Sequence, residues 1–97
     1  MRVVWTRFAL RQLDQIQEYI AQDSRRIAHQ VVLDIFQRTQ RLLSANPLLG
    51  REGRDGRTRE LVLSRTNYIV VYRILDQIEV LAVVHTAQNW PDRFKLQ

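Results

Sequence analysis

Two side chains in this sequence could do chemistry together, His85 and Arg59. His85 closes the last strand-like run, Ile78–His85 (IEVLAVVH), and Thr86, Gln88 and Asn89 follow it. Arg59 lies in another such run, Thr58–Leu63 (TRELVL), which could bring its guanidinium near the ring. Histidine and arginine without a metal can cleave RNA: the imidazole moves the 2′-hydroxyl proton while the guanidinium meets charge developing on phosphate. The competing reading is a strand-end histidine bonded to backbone, and it is the commoner situation. His29, within the second helix, reads as a surface or packing residue.

Other chemistries lack their parts. There is no cysteine, so neither a disulfide nor a thiolate zinc site can form, and two distant histidines make no metal site. No metal and no cofactor are expected. Ser24, Ser44 and Ser64 stand outside any G-x-S-x-G setting, and the carboxylates are scattered. Gly50, Gly53 and Gly56 are spaced GxxGxxG, which matches neither pattern that cradles phosphate, and no helix start follows them.

Three further residues are candidates for contact rather than catalysis. Arg73 sits in the apolar run Tyr68–Leu75 (YIVVYRIL) and its charged head needs solvent or a partner. Pairing about a two-residue Asp76-Gln77 turn puts it opposite Val80 rather than Glu79. That leaves it open to an outside carboxylate. Trp90 and Phe94, in the tail Gln88–Gln97, could stack on bases or anchor an interface. Packing of the tail onto the sheet is the competing reading, and for Trp90 the preferred one.

The elements that carry these residues follow from pattern. Arg2–Trp5 reads as a short strand and Thr6 as the N-cap of a helix. Ala9, Leu13, Ile16 and Ile20 recur on one face of that helix. Asp23 or Ser24 caps a second helix running to about Ala45, with Ala28, Val31, Ile35 and Leu42 as its stripe. Asn46-Pro47 ends it. The short break makes the two helices a hairpin. Residues 46–57 read as a basic loop, and three strands follow. The order β-α-α-β-β-β gives an α+β fold, an antiparallel-type sheet with the helical hairpin packed on one face. The strands are apolar on both faces, so the face away from the helices, or an edge, is where a partner is expected.

The charge points to partners. Fifteen Lys and Arg face ten Asp and Glu, and Lys95 is the only lysine. Arginine forks suit carboxylate and phosphate alike. The apolar runs fall far short of the roughly twenty residues that span a bilayer. A single soluble, cytoplasmic domain with no membrane partner is the expectation.

Several stretches together resemble a known family. They are Trp5-Thr6-x-x-Ala9, Tyr19-Ile20-Ala21, Asn46-Pro47-x-x-Gly50-Arg51, Thr58-Arg59-Glu60-Leu61-Val62, Tyr68 through Ile74, and Val84-His85-x-x-x-x-Trp90-Pro91. In this order they resemble the RelE/ParE superfamily of type II toxin–antitoxin toxins over about residues 3–91. The resemblance implies one toxin domain over 1–97, with a tail from about 88.

Its branches differ in target: RelE toxins cleave mRNA on the ribosome, whereas ParE toxins poison DNA gyrase. The RelE branch carries an arginine where this chain has Ile69, and lysines where it has Glu60 and Val62. An aliphatic side chain cannot stabilise a phosphorane-like transition state. The resemblance is therefore closer to ParE, and no catalytic residue is expected. Arg59 and His85 remain the set for a metal-independent endoribonuclease acting on ribosome-bound mRNA, the alternative. A non-toxic basic adaptor is the third reading. The resemblance further implies an acidic, partly disordered cognate antitoxin, ParD- or RelB-like, folding onto exposed residues of the helical hairpin and sheet edge. Arg73, Trp90 and Phe94 are the named candidates for antitoxin or target contact. Direct DNA binding by this chain is not implied.

Overall fold

Each helix starts where a hydroxyl can satisfy a free backbone donor. In the computed structural model, which describes residues 1–54 and 56–87, Thr6 Oγ1 accepts from the Ala9 N–H at 3.1 Å and Ser24 Oγ from the Ile27 N–H at 3.2 Å. Helix α1 then spans Arg7–Ala21 and helix α2 spans Arg25–Ala45. Extended backbone at Asn46, ahead of Pro47, stops α2.

The described strands are β1 (Val3–Trp5), β2 (Arg51–Glu52), β3 (Arg59–Val62), β4 (Tyr68–Ile74) and β5 (Ile78–His85). They form one sheet in the order β1-β5-β4-β3-β2. β1 runs parallel to β5 and the other pairs are antiparallel, so the sheet is mixed. The α+β architecture with its helical hairpin matches the expectation, and β2 is an additional strand within the stretch read as loop. Residues there alternate charge and glycine, which gives no strand pattern. What makes the strand is pairing with β3, continued by a Gly53 N–H to Thr58 carbonyl bond of 2.7 Å.

Two details set the register of the β4–β5 hairpin. Ile74 pairs with Ile78, so the connection is three residues, Leu75–Gln77, closed by Leu75 N–H to the Gln77 carbonyl at 2.9 Å. Between Val71 and Tyr72 the ladder shifts: Val71 faces Ala82 while Tyr72 faces Val80, leaving Leu81 as the extra residue of a bulge.

The sheet is buried on both faces. Towards the helices, Leu61, Val70, Tyr72, Ile78, Val80 and Val83 join Ala9, Leu13, Ile35 and Leu43 in the main core. On the other face Ile69, Val71, Ala82 and Val84 form a second buried cluster against which Phe8 packs. The centre of that face is thus not the open partner surface that its apolar runs suggested.

The outer edge of β5 needs a substitute strand. β1 stops at Trp5, opposite Val80, and the chain turns into α1. Thr6 takes over, its N–H donating to the Val80 carbonyl at 3.0 Å and its hydroxyl to the Leu81 carbonyl at 3.4 Å. Beyond it Gln12, buried in α1, accepts the Val83 N–H on Oε1 at 2.7 Å. Gln12→Ala strands that buried donor, at a cost of about 1–3 kcal/mol. Urea unfolding is expected to show the loss, with the exposed neighbour variant Gln15→Ala within about 0.5 kcal/mol of the parent.

Candidate interaction surface

Arg59 and His85 do not meet. Arg59 faces Tyr72 across β3–β4, while His85 faces Tyr68 across β4–β5. Four residues of strand and two strand spacings separate them, about 13 Å along and about 10 Å across. Each is also occupied. The Arg59 guanidinium donates from Nε to the Gly50 carbonyl at 3.0 Å and from Nη2 to the Leu48 carbonyl at 3.2 Å. His85 Nδ1 accepts the Ala87 N–H at 3.1 Å, and its ring meets Tyr68 edge-on at 5.5 Å. Burial pushes the Tyr68 phenol above its ordinary pKa, and Tyr19 adds a smaller push the same way.

Arg73 requires a correction. The three-residue connection and the bulge bring it directly opposite Glu79, not Val80. Its Nε and Nη2 reach Glu79 Oε1 at 2.8 and 2.7 Å. The hairpin therefore supplies its own carboxylate to Arg73. The pair is part-exposed, worth roughly 0.2–1 kcal/mol at most. Trp90 and Phe94 lie outside the described residues.

Glu60, Val62 and Ile69, the positions singled out by the resemblance, share one face. Val62 faces Ile69 and Glu60 faces Val71, with Val84 and Ala82 next across β5. Facing pairs project to the same side of a sheet, so these side chains form one continuous patch away from the helices. The patch is aliphatic except for Glu60. That carboxylate is 3% exposed, taking Arg51 Nε and Nη2 on Oε1 at 3.3 and 3.0 Å, with Arg54 Nε 3.5 Å from Oε2. Glu60 thus joins β2 and the following turn to β3. The sequence named it only as a departure from the ribonuclease pattern. A carboxylate flanked by Arg51 and Arg54 across a glycine turn was the available signal.

At the edge of this patch Val62 is exposed, and further exposed apolar side chains lie elsewhere. One part is a groove between α1 and α2, about 490 Å³, where Leu10, Leu33 and Phe36 stand part-exposed beside Leu13 and Val32, with His29 at its lining. Another is the loop ahead of β2, where Leu48 and Leu49 face solvent. This loop is tightly held. The Tyr72 hydroxyl, reaching up from the core, accepts the Gly50 N–H at 2.9 Å and donates to the Pro47 carbonyl at 2.7 Å. Arg59 takes the Leu48 and Gly50 carbonyls. A side chain at Gly50 would put its Cβ 2.7 Å from the Tyr72 ring, so only glycine lets the loop approach so closely.

Among the described residues no group of three or more His, Asp or Glu could hold a metal, and no helix is long and apolar enough to cross a membrane.

Residues 3–90 match the family described as the ParE toxin of the type II toxin–antitoxin system parDE. The chain is 44% identical over 90 residues to the protein named "Putative toxin Y4kP" of Sinorhizobium fredii, covering 93% of each. Its fold superposes on a chain of a structure described as "Chromosomal ParDE TA system from P. aeruginosa" with a TM-score of 0.79 and 28% identity. That match covers 88% of this chain and 95% of the other.

The clamp on the loop is testable. Tyr72→Phe leaves the buried Gly50 N–H without its acceptor, an expected cost of about 1–3 kcal/mol. Native-state proteolysis by chymotrypsin is expected to cut near Leu48–Leu49 faster in this variant than in the parent. Equal cutting rates would mean the loop is held by something other than the hydroxyl.

Proposed function

We propose that this chain, which belongs to the ParE toxin family of type II toxin–antitoxin systems, acts in the cytoplasm by binding and poisoning DNA gyrase and is neutralised by a cognate acidic antitoxin. The observation that supports binding over catalysis is the shared face of Glu60, Val62 and Ile69. A ribonuclease of the RelE branch would need cationic side chains there to meet charge on the scissile phosphate. In this chain the neighbours are aliphatic, and the one charge among them is an acid bound by arginines. The separation of Arg59 from His85, and the ties each makes to backbone, supports the same reading.

The antitoxin part is supported by the groove between α1 and α2 and by the charge of the chain. A part-exposed apolar trough on a protein of net charge +5 suits an acidic segment that folds on contact. Such a segment would gain burial from Leu10, Leu33 and Phe36.

Supercoiling by purified gyrase, with and without the protein, tests the target. Inhibition with accumulation of linear, cleaved DNA is the expected outcome. His85→Ala is expected to inhibit as the parent does, because the ring is tied to Ala87 and Tyr68 at the sheet end. No inhibition by folded protein that still arrests cell growth, together with loss of arrest in His85→Ala, would move the assignment to the ribosome-dependent ribonuclease. Absence of any growth effect would leave the adaptor reading.

A further inference from the structure

Strand β3 is covered on its outer side for only half its length. β2 pairs with Arg59 and Glu60 and then ends, because Gly50 turns away into its bonds with Tyr72 and Arg59. In an antiparallel ladder the residues that face outward alternate. Thr58 bonds Gly53 on that side and Leu63 bonds Tyr68 on the other, so the next outward residue after Glu60 is Val62. Its N–H and C=O have no hydrogen-bond partner among the described residues.

Beside this edge runs a groove of about 350 Å³ between α2 and the clamped loop, with Leu42, Leu49 and Leu61 among its lining. Arg51 lines it too, with its side chain 58% exposed. Both of its described bonds go to Glu60 Oε1 from Nε and Nη2, which leaves Nη1 for another acceptor. An unpaired strand edge, an apolar slot and a guanidinium therefore lie side by side. The groove between the helices offers no unpaired strand backbone and suits a helix. This one suits a strand.

We infer that the free edge of β3 takes up an extended acidic segment of the antitoxin, whose backbone pairs with Val62, whose apolar side chain enters the slot and whose carboxylate meets Arg51. The inference rests on the toxin–antitoxin reading above and adds the mode of capture to it. The loop that forms one wall is already fixed by Tyr72 and Arg59, so little ordering is required of this chain when the segment arrives.

Amide hydrogen exchange on the full chain, alone and in complex with full-length cognate antitoxin, tests this. The Val62 amide is expected to exchange freely in the chain alone and roughly tenfold or more slowly in the complex. Leu49→Glu, at an exposed position the fold does not need, is expected to weaken the complex by about tenfold or more, through loss of apolar contact and repulsion of the acidic segment. Leu75→Ala, in the exposed β4–β5 connection and away from both the hairpin of helices and the β3 edge, serves as the unaffected control. A complex that forms with Val62 exchanging as before, or with unchanged affinity in Leu49→Glu, overturns strand capture and leaves the antitoxin reading standing. Failure of any complex to form overturns the antitoxin reading and this inference with it. Protection of Val62 that grows with the concentration of the chain alone would assign the edge to a second copy, and would equally overturn it.

Discussion

The outer edge of β5 is the constraint on which the arrangement depends. A strand buried on both faces cannot leave its backbone donors and acceptors unpaired, and β1 is too short to satisfy them all. Thr6 and Gln12 complete the row from within the turn and first helix. That requirement fixes how α1 crosses the sheet. Because α2 packs beside α1, it also fixes where the groove between the helices opens. The apolar surface of the hairpin is therefore aimed by a buried glutamine.

A second polar arrangement fixes the opposite edge. Tyr72 and Arg59 tie down the stretch from Pro47 to Gly50, and Glu60 gathers Arg51 and Arg54 onto β3. Neither set has to be catalytic to need its residue types. Arginine is required because one rigid fork can satisfy two carbonyls at once, and tyrosine because a single hydroxyl both accepts and donates. The result is a surface whose exposed leucines sit on backbone that cannot easily relax. Rigid presentation of apolar groups favours tight binding over adaptable binding.

Much of this fold was legible in the sequence, and the exceptions have physical causes. Thr6, Ser24 and Asn46-Pro47 mark the helix ends because capping and proline sterics are local. β5 was read with its observed bounds and β4 to within one residue, because continuous β-branched runs admit little else. β2 was missed because two charged residues among glycines have no strand pattern of their own. The partner of Arg73 was missed because a bulge shifts register without any mark in residue type. Gln12 went unremarked because a polar residue beside Leu13 reads as turned to solvent. Arg59 attracted a chemical reading because its type is visible in sequence while its direction is not. The groove was half legible: Phe36 directly follows Ile35 of the α2 stripe, but its part exposure depends on how the two helices cross.

The pairing of β1 with β5 joins residues near opposite ends of the chain, Val3 beside Ile78. Contacts of such separation form late, since a long loop must close before they stabilise anything. On a translating ribosome β1 must wait, unpaired, while nearly the whole chain is made. Thr6 and Gln12 wait with it, because the carbonyls and amide they serve lie on the same last strand. The edge, the helical groove and the sheet therefore mature together and only after β5 has emerged. Synthesis itself therefore delays the surfaces that depend on the sheet until its last strand is made.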